Sequence, residues 1–155
     1  MASEFRRACF VFIERKGPRI LIAAVYNHDG LWAEQPDGVI QVENIEPTLL
    51  GEAIKAQLKK CIHKPSFNYR DQKKTDWPAF QASGARSTTA FEKAFARYWV
   101  GGANEANIIL IADTEKIDGA FELRASVNAH ADPQELGEWL LQFHENYLRV
   151  EALFE

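Results

Sequence analysis

Four histidines are the residues in this sequence whose chemistry first suggests catalysis or metal binding. They are His28, His63, His130 and His144. None has the spacing of a metal-ligand pair, such as two histidines four positions apart on one helix. His28 and His130 lie in turn-like segments and His144 borders an apolar stripe, so ordinary structural positions are favoured. The sequence therefore predicts no metal and no other cofactor.

Two other patterns could carry chemistry, a glycine pair and a group of carboxylates. A strand pattern follows Gly101-Gly102, whereas phosphate binding needs a helix N-terminus there, so we interpret the pair as a hairpin turn. Asp113, Glu115 and Asp118 lie at a strand end and in a turn. Acid catalysis needs one carboxyl group desolvated and another ionised, and a solvated turn provides neither. We expect a protein without catalytic apparatus.

The distribution of charge is uneven along the chain. Residues 1–102 carry 15 basic and 11 acidic side chains, whereas residues 103–155 carry 3 basic and 11 acidic ones. An acidic surface attracts basic partners and repels nucleic acid. We predict a binding surface for a basic protein at five acidic residues, namely Asp113, Glu115, Asp118, Glu122 and Glu138. The alternative is a solvated surface, with the interface elsewhere, for example around Trp32 and the turn at 27–30.

A basic segment at 59–74 runs against the acidic character of the whole chain. It combines six lysines and arginines with the aromatic residues Phe67 and Tyr69. Such a mixture can bind nucleic acid by ion pairing and base stacking. Because the segment is short and the net charge is −4, a solvated loop is favoured.

The sequence predicts a protein that stays in the cytosol. The apolar run at 10–13 is interrupted at once by Glu14-Arg15-Lys16, so we expect no leader peptide. No stretch approaches the roughly 20 apolar residues of a membrane helix. Cys9 and Cys61 lie in apolar segments without a C-x-x-C spacing, which favours buried, reduced thiols.

The elements that must position these residues follow from periodicity. Apolar and β-branched residues predict strands at 8–14, 19–26 and 38–42, with a helix over 45–60 that Asn44 caps. The irregular stretch 62–86 precedes a second helix that begins at Ser87.

Strands follow at 98–100, 107–112 and 120–128. The apolar run at 107–112 is typical of a strand buried on both faces, and 120–128 alternates, with Phe121 on the core side.

The last helix has the clearest beginning, since Asp132 can cap it and Pro133 fits its first position. Its apolar stripe predicts a core face of Leu136, Trp139, Leu140, Phe143 and Tyr147.

Strands thus occur in runs instead of alternating with helices. This order predicts one α+β domain over 1–155, with a mainly antiparallel sheet of about six strands and three helices packed on it.

One segment resembles a known family. The stretch TDWPAFQASG at 75–84, with Ser87 and Ala-Phe-Glu at 90–92, is similar to immunity proteins of bacterial contact-dependent growth inhibition systems. The residues at 102–107 and Glu-Leu-Gly at 135–137 extend the resemblance. Within this motif we interpret Trp77, Phe80 and Phe91 as packing residues, Pro78 as fixing a turn and Ser87 as a helix cap.

The resemblance implies a function. Such proteins bind the toxic C-terminal domain of a cognate toxin, frequently a basic nuclease, in the cytosol. The sequence leaves two alternatives: a small-molecule-binding or regulatory domain of unknown ligand, and a nucleic-acid binder that uses 59–74.

Overall fold

The computed structural model describes residues 7–28, 31–64, 77–102, 106–114 and 121–153. Seven strands and four helices are present in these ranges. In chain order they are β1 (Ala8–Glu14), β2 (Arg19–His28), β3 (Leu31–Glu43), α1 (Pro47–Lys60), β4 (Ile62–His63), α2 (Pro78–Ser83), α3 (Thr88–Ala94), β5 (Phe95–Gly102), β6 (Asn107–Thr114), β7 (Phe121–Asn128) and α4 (Pro133–Leu153).

The strands form one sheet in the order β3-β2-β1-β5-β6-β7, in which each neighbour is antiparallel. The two-residue β4 pairs in parallel with β2 beside Tyr26 and Asn27. The α+β prediction is confirmed. The structure has four helices instead of three because α2 lies in the stretch that the sequence marked as irregular.

The first face of the sheet lies under α1 and α4. Its central residues include Val11 of β1, Ile22 of β2 and Leu110 of β6, all fully buried. Leu50 and Ile54 of α1 pack on this face together with four residues of α4. Those four are Leu136, Leu140, Phe143 and Tyr147.

The second face lies partly under the short helices α2 and α3. Phe12 of β1 and Phe95 of β5 pack there against Phe91, and the Trp77 ring meets the Phe91 ring edge-on at 4.8 Å. The packing role predicted for the aromatic residues of the motif is confirmed, since Phe80 belongs to the same cluster. Pro78, however, is the first residue of α2 instead of fixing a turn, because its fixed φ suits a helix start.

The helix starts differ in how they are capped. The Asp132 carboxylate accepts the Glu135 N–H at 2.9 Å, and the Ser87 hydroxyl accepts the Ala90 N–H at 3.1 Å, as predicted. The predicted Asn44 cap is wrong. Glu46 precedes α1 and makes no capping bond through its side chain, and Pro47 begins the helix; proline has no N–H at this position to satisfy.

The third strand is longer than the sequence predicts, extending over Leu31–Glu43. Its register with β2 shifts between Ala23 and Val25. Side-chain amides donate to backbone carbonyl groups on both sides of this irregularity. Gln57 of α1 donates to the Ile22 carbonyl at 2.8 Å, and Gln35 donates to the Val25 carbonyl at 3.0 Å. Gln57 also donates to the Gly38 carbonyl, so these amides connect β2, β3 and α1 at the point where the register shifts.

Two further predictions are corrected at β5 and β6. Gly101 and Gly102 belong to β5 and pair with Ile109 and Ile108, so they are not the hairpin turn. The β6 strand is not buried on both faces, because Ile109 and Ile111 are partly exposed on the second face. Within the described residues, α2 packs mainly on β2 and β3, and α3 packs on β5 and against Phe12 of β1.

Two glycines set the distance between α1 and α4. A Cβ atom on Gly51 would overlap the Pro133 carbonyl, and one on Gly137 would overlap the Pro47 carbonyl. The two backbones are therefore in direct contact where the helices cross, as only glycine permits.

We predict that Gly137→Ala lowers the free energy of unfolding by about 1–3 kcal/mol, the usual cost of overpacking. Alanine normally stabilises a helix by roughly 0.5–1 kcal/mol relative to glycine, so the sign of the effect identifies the contact. Urea denaturation followed by circular dichroism measures it. Gly102→Ala is the control, since nothing lies within 4 Å of a Cβ atom there; equal stability of the two variants would contradict the prediction.

Candidate functional site

The five acidic residues predicted to bind a partner fall in different parts of the structure. Glu115 and Asp118 lie outside the described residues, and Asp113 is described only by its backbone in β6. Glu122 lies on β7 with its side chain 42% exposed, and Glu138 is exposed on α4.

Glu122 and Glu138 lie on opposite sides of the sheet. Glu122 pairs in register with Asp113 and, with Arg124, faces away from α4. The Arg124 guanidinium contacts the Glu122 carboxylate at 2.5 Å. Glu138 lies on the solvent side of α4 and accepts a hydrogen bond from Gln134 at 3.1 Å. The structure does not bring these two carboxylates together.

Trp139 is 53% exposed, so its predicted place in the core is wrong. On a helix it lies three positions after Leu136 and is displaced by about 60° from it. Leu136 and Leu140 are fully buried and, with Phe143 and Tyr147, fill the narrower arc that faces the sheet. The remaining members of the predicted stripe are therefore confirmed.

The second face beside β1 and β5 carries a group of aromatic and basic side chains. Trp99 meets Trp32 of β3 edge-on at 5.8 Å, and its ring lies across Gly101, where a Cβ atom would overlap it. The exposed Arg97 guanidinium lies over the Phe10 ring at 5.3 Å. The Trp99 indole nitrogen is buried and has no hydrogen-bond partner among the described residues. The sequence named Trp32 as an alternative contact but gave no signal for Trp99 beyond its strand.

Glu34 is a half-buried carboxyl group that the sequence did not single out. It lies on β3 and accepts the Ala79 N–H at 2.8 Å and the Trp77 indole N–H, so it caps the start of α2 from a distance. Burial raises its pKa to about 7, while these hydrogen bonds and the charge of Arg97 oppose the rise. The arrangement explains how the motif residue Trp77 is held in place.

His144 belongs to a buried polar cluster instead of a reactive site. Its Nδ1 lies 2.5 Å from the Tyr98 hydroxyl, and only 8% of the residue is exposed. Burial, aided by the positive charge of Arg15, lowers its pKa to about 4. His144 is thus neutral at pH 7.

His28 occupies the end of β2 instead of the turn that the sequence predicted. It is buried, and its Nδ1 contacts the Lys64 carbonyl. His63 and His130 are both exposed.

The basic segment is described only as far as Lys64. Lys59, Lys60 and Lys64 are exposed, and the Lys64 ammonium lies over the Tyr26 ring at 4.8 Å. Residues 65–76 lie outside the described part.

The two cysteines are buried and form no disulfide, as predicted. Burial raises the pKa of each thiol, which disfavours the reactive thiolate. In the ranges that the structure covers, no three histidine, cysteine or acidic residues are grouped as a metal site. No helix in these ranges has the length and apolar character to cross a membrane.

Comparisons with known proteins show the fold. No family model matches the chain, and no curated protein matches it. A Neisseria meningitidis protein of unknown function is similar to it, with a TM-score of 0.69 and 13% identity over 94% of this chain and 98% of that one. A chain of a CdiA-CT/CdiI toxin and immunity complex from Yersinia pseudotuberculosis is also similar. Its TM-score is 0.61, with 12% identity over 86% of this chain and 92% of that one.

We predict that His144 makes the protein less stable at acid pH. Its folded pKa of about 4 lies below the ordinary value of 6.5, so the unfolded chain takes up the proton first. The free energy of unfolding therefore falls as the pH is lowered from about 6.5 to about 4.

His144→Gln keeps a hydrogen-bonding group beside Tyr98 and removes this titration. Urea denaturation of both proteins at several pH values provides the measurement. As the pH falls, the parent should lose more unfolding free energy than the variant, because only the parent carries this titration. An equal loss in both proteins would contradict the assignment.

Proposed function

We propose that this chain is an immunity protein that binds a cognate toxin domain and neutralises it. The observation that carries the proposal is the likeness to a chain of a toxin and immunity complex, which extends over 86% of this chain and 92% of that chain. The resemblance of the segment around Trp77 to immunity proteins supports the same class. That segment packs as part of the scaffold, in which Trp77 and Phe91 lie against β1.

Neutralisation by binding fits the chemistry of the described side chains. The groups with the largest shifts in pKa are Cys9, Glu34, Tyr98 and His144, and each is held in the interior or in a structural hydrogen bond. A catalytic group must reach the atom that it acts on. Exposed charges, in contrast, are available to a protein partner, and the acidic C-terminal third suits a basic one.

The toxin of such a pair is expected to be encoded by the gene directly upstream of the gene for this chain. The test uses the C-terminal domain of the protein that this upstream gene encodes. Expression of that domain alone should stop growth, and co-expression of this chain should restore it. The purified proteins should form a complex at equal stoichiometry, measured by isothermal titration calorimetry.

A second measurement separates binding from enzymatic inactivation. Toxin released from the complex with denaturant and then refolded should be active again and unchanged in mass. Inactivation of the toxin by a substoichiometric amount of this chain would contradict a binding mechanism. Growth arrest that this chain does not relieve would contradict the immunity role.

A further inference from the structure

We propose that the outer surface of α4, defined by Asp132, Glu135, Glu138 and Trp139, is the site at which a basic surface of the toxin domain docks. This inference rests on the proposed function and specifies its interface. It selects Glu138 from the acidic residues predicted by the sequence and places an aromatic anchor beside it.

The helix packing directs Trp139 away from the protein. Gly137 lies against the Pro47 carbonyl of α1, and Trp139 follows two positions later, about 200° around the helix. Because α4 lies over β6 and β7 while α1 lies over β1 to β3, Trp139 is on the outer flank of the helical layer. It is 53% exposed and the only aromatic among the exposed large hydrophobic residues of the described ranges.

The charged residues near Trp139 on α4 and at its cap are all acidic, and the Lys55 ammonium of α1 lies against the Ala131 carbonyl on the α1 side of the cap. Asp132, Glu135 and Glu138 are all exposed, and the first basic residue on α4 after them is Arg149. Capping and the helix dipole account for Asp132 and Glu135. Neither effect accounts for Glu138 or for the exposed Trp139 ring, although burial of that ring would stabilise the protein.

The combination specifies the chemistry of the partner. Tryptophan is enriched among the residues that dominate protein interfaces, and its ring attracts lysine and arginine side chains. A surrounding acidic rim accelerates the approach of a basic protein and repels an acidic one. The described lysine cluster at Lys59, Lys60 and Lys64 has the opposite charge and would repel the same partner.

The experiment measures binding of the C-terminal domain encoded by the upstream gene to variants of this chain by surface plasmon resonance. Trp139→Ala should weaken binding by about 30-fold or more, the level of an interface hot spot. Glu135→Gln with Glu138→Gln should slow association and reduce its dependence on salt. Because all three side chains are exposed, the melting temperature should stay close to that of the parent.

Matched controls come from the other exposed residues of the chain. Ile45→Ala removes an exposed apolar side chain in the turn before α1, which belongs neither to this surface nor to the alternative one around Trp32. Glu52→Gln with Glu92→Gln removes two exposed charges outside this surface. Both controls should bind within about twofold of the parent, as expected for residues outside an interface.

Three outcomes would overturn the proposal. If Trp139→Ala and the double glutamine variant bind like the parent, α4 is not the interface, although the immunity function stands. If reversal of Glu115, Asp118 and Glu122 to lysine abolishes binding while Trp139→Ala does not, the interface is the acidic turn. If sedimentation shows a parent dimer that Trp139→Ala dissociates, the surface binds a second copy. A parent that does not bind the toxin domain contradicts the proposed function itself.

Discussion

The burial of β1 on both faces is the constraint on which the rest of the structure depends. This strand pairs with β2 on one side and with β5 on the other, so it joins the two halves of the sheet. Val11 and Ile13 point to the first face, whereas Ala8 and Phe12 point to the second, and all four are buried. A strand that is apolar on both sides needs cover on both sides. The long helices α1 and α4 supply one layer and the short helices α2 and α3 supply the other.

Arg15, the residue after β1, forms hydrogen bonds with both of these layers. Its guanidinium donates to the Glu92, Lys93 and Phe95 carbonyls at the end of α3 and forms a two-point pair with Glu151 of α4 at 3.0 and 3.1 Å. Such a planar group satisfies several acceptors at once. The carbonyls at the end of α3 are thus satisfied, and α4 is held to the sheet near the buried Tyr98 and His144.

This scaffold leaves its surfaces available for recognition. The core and the helix crossing are buried, whereas Trp139 on the outer flank of α4 is exposed and Ile109 and Ile111 on the second face of β6 are partly exposed. A fold fixed by its interior can carry different binding surfaces. The two similar solved structures share this architecture at 12–13% identity, which is compatible with an interior pattern that tolerates extensive substitution. The proposed neutralisation of a toxin by binding would use such a surface.

The sequence by itself determined the fold class and most of the local elements, although it did not predict α2 or the first half of β3. Alternation predicts β7, and cap chemistry predicts the starts of α3 and α4 at Ser87 and Asp132, because these signals involve residues close together in the chain. It also marked Glu122 and Glu138 as exposed. Only the tertiary structure decided that they lie on opposite faces, that Trp139 is exposed and that burial raises the pKa of Glu34 to about 7. Local periodicity identifies the apolar side of an element, but burial depends on which distant element lies against that side.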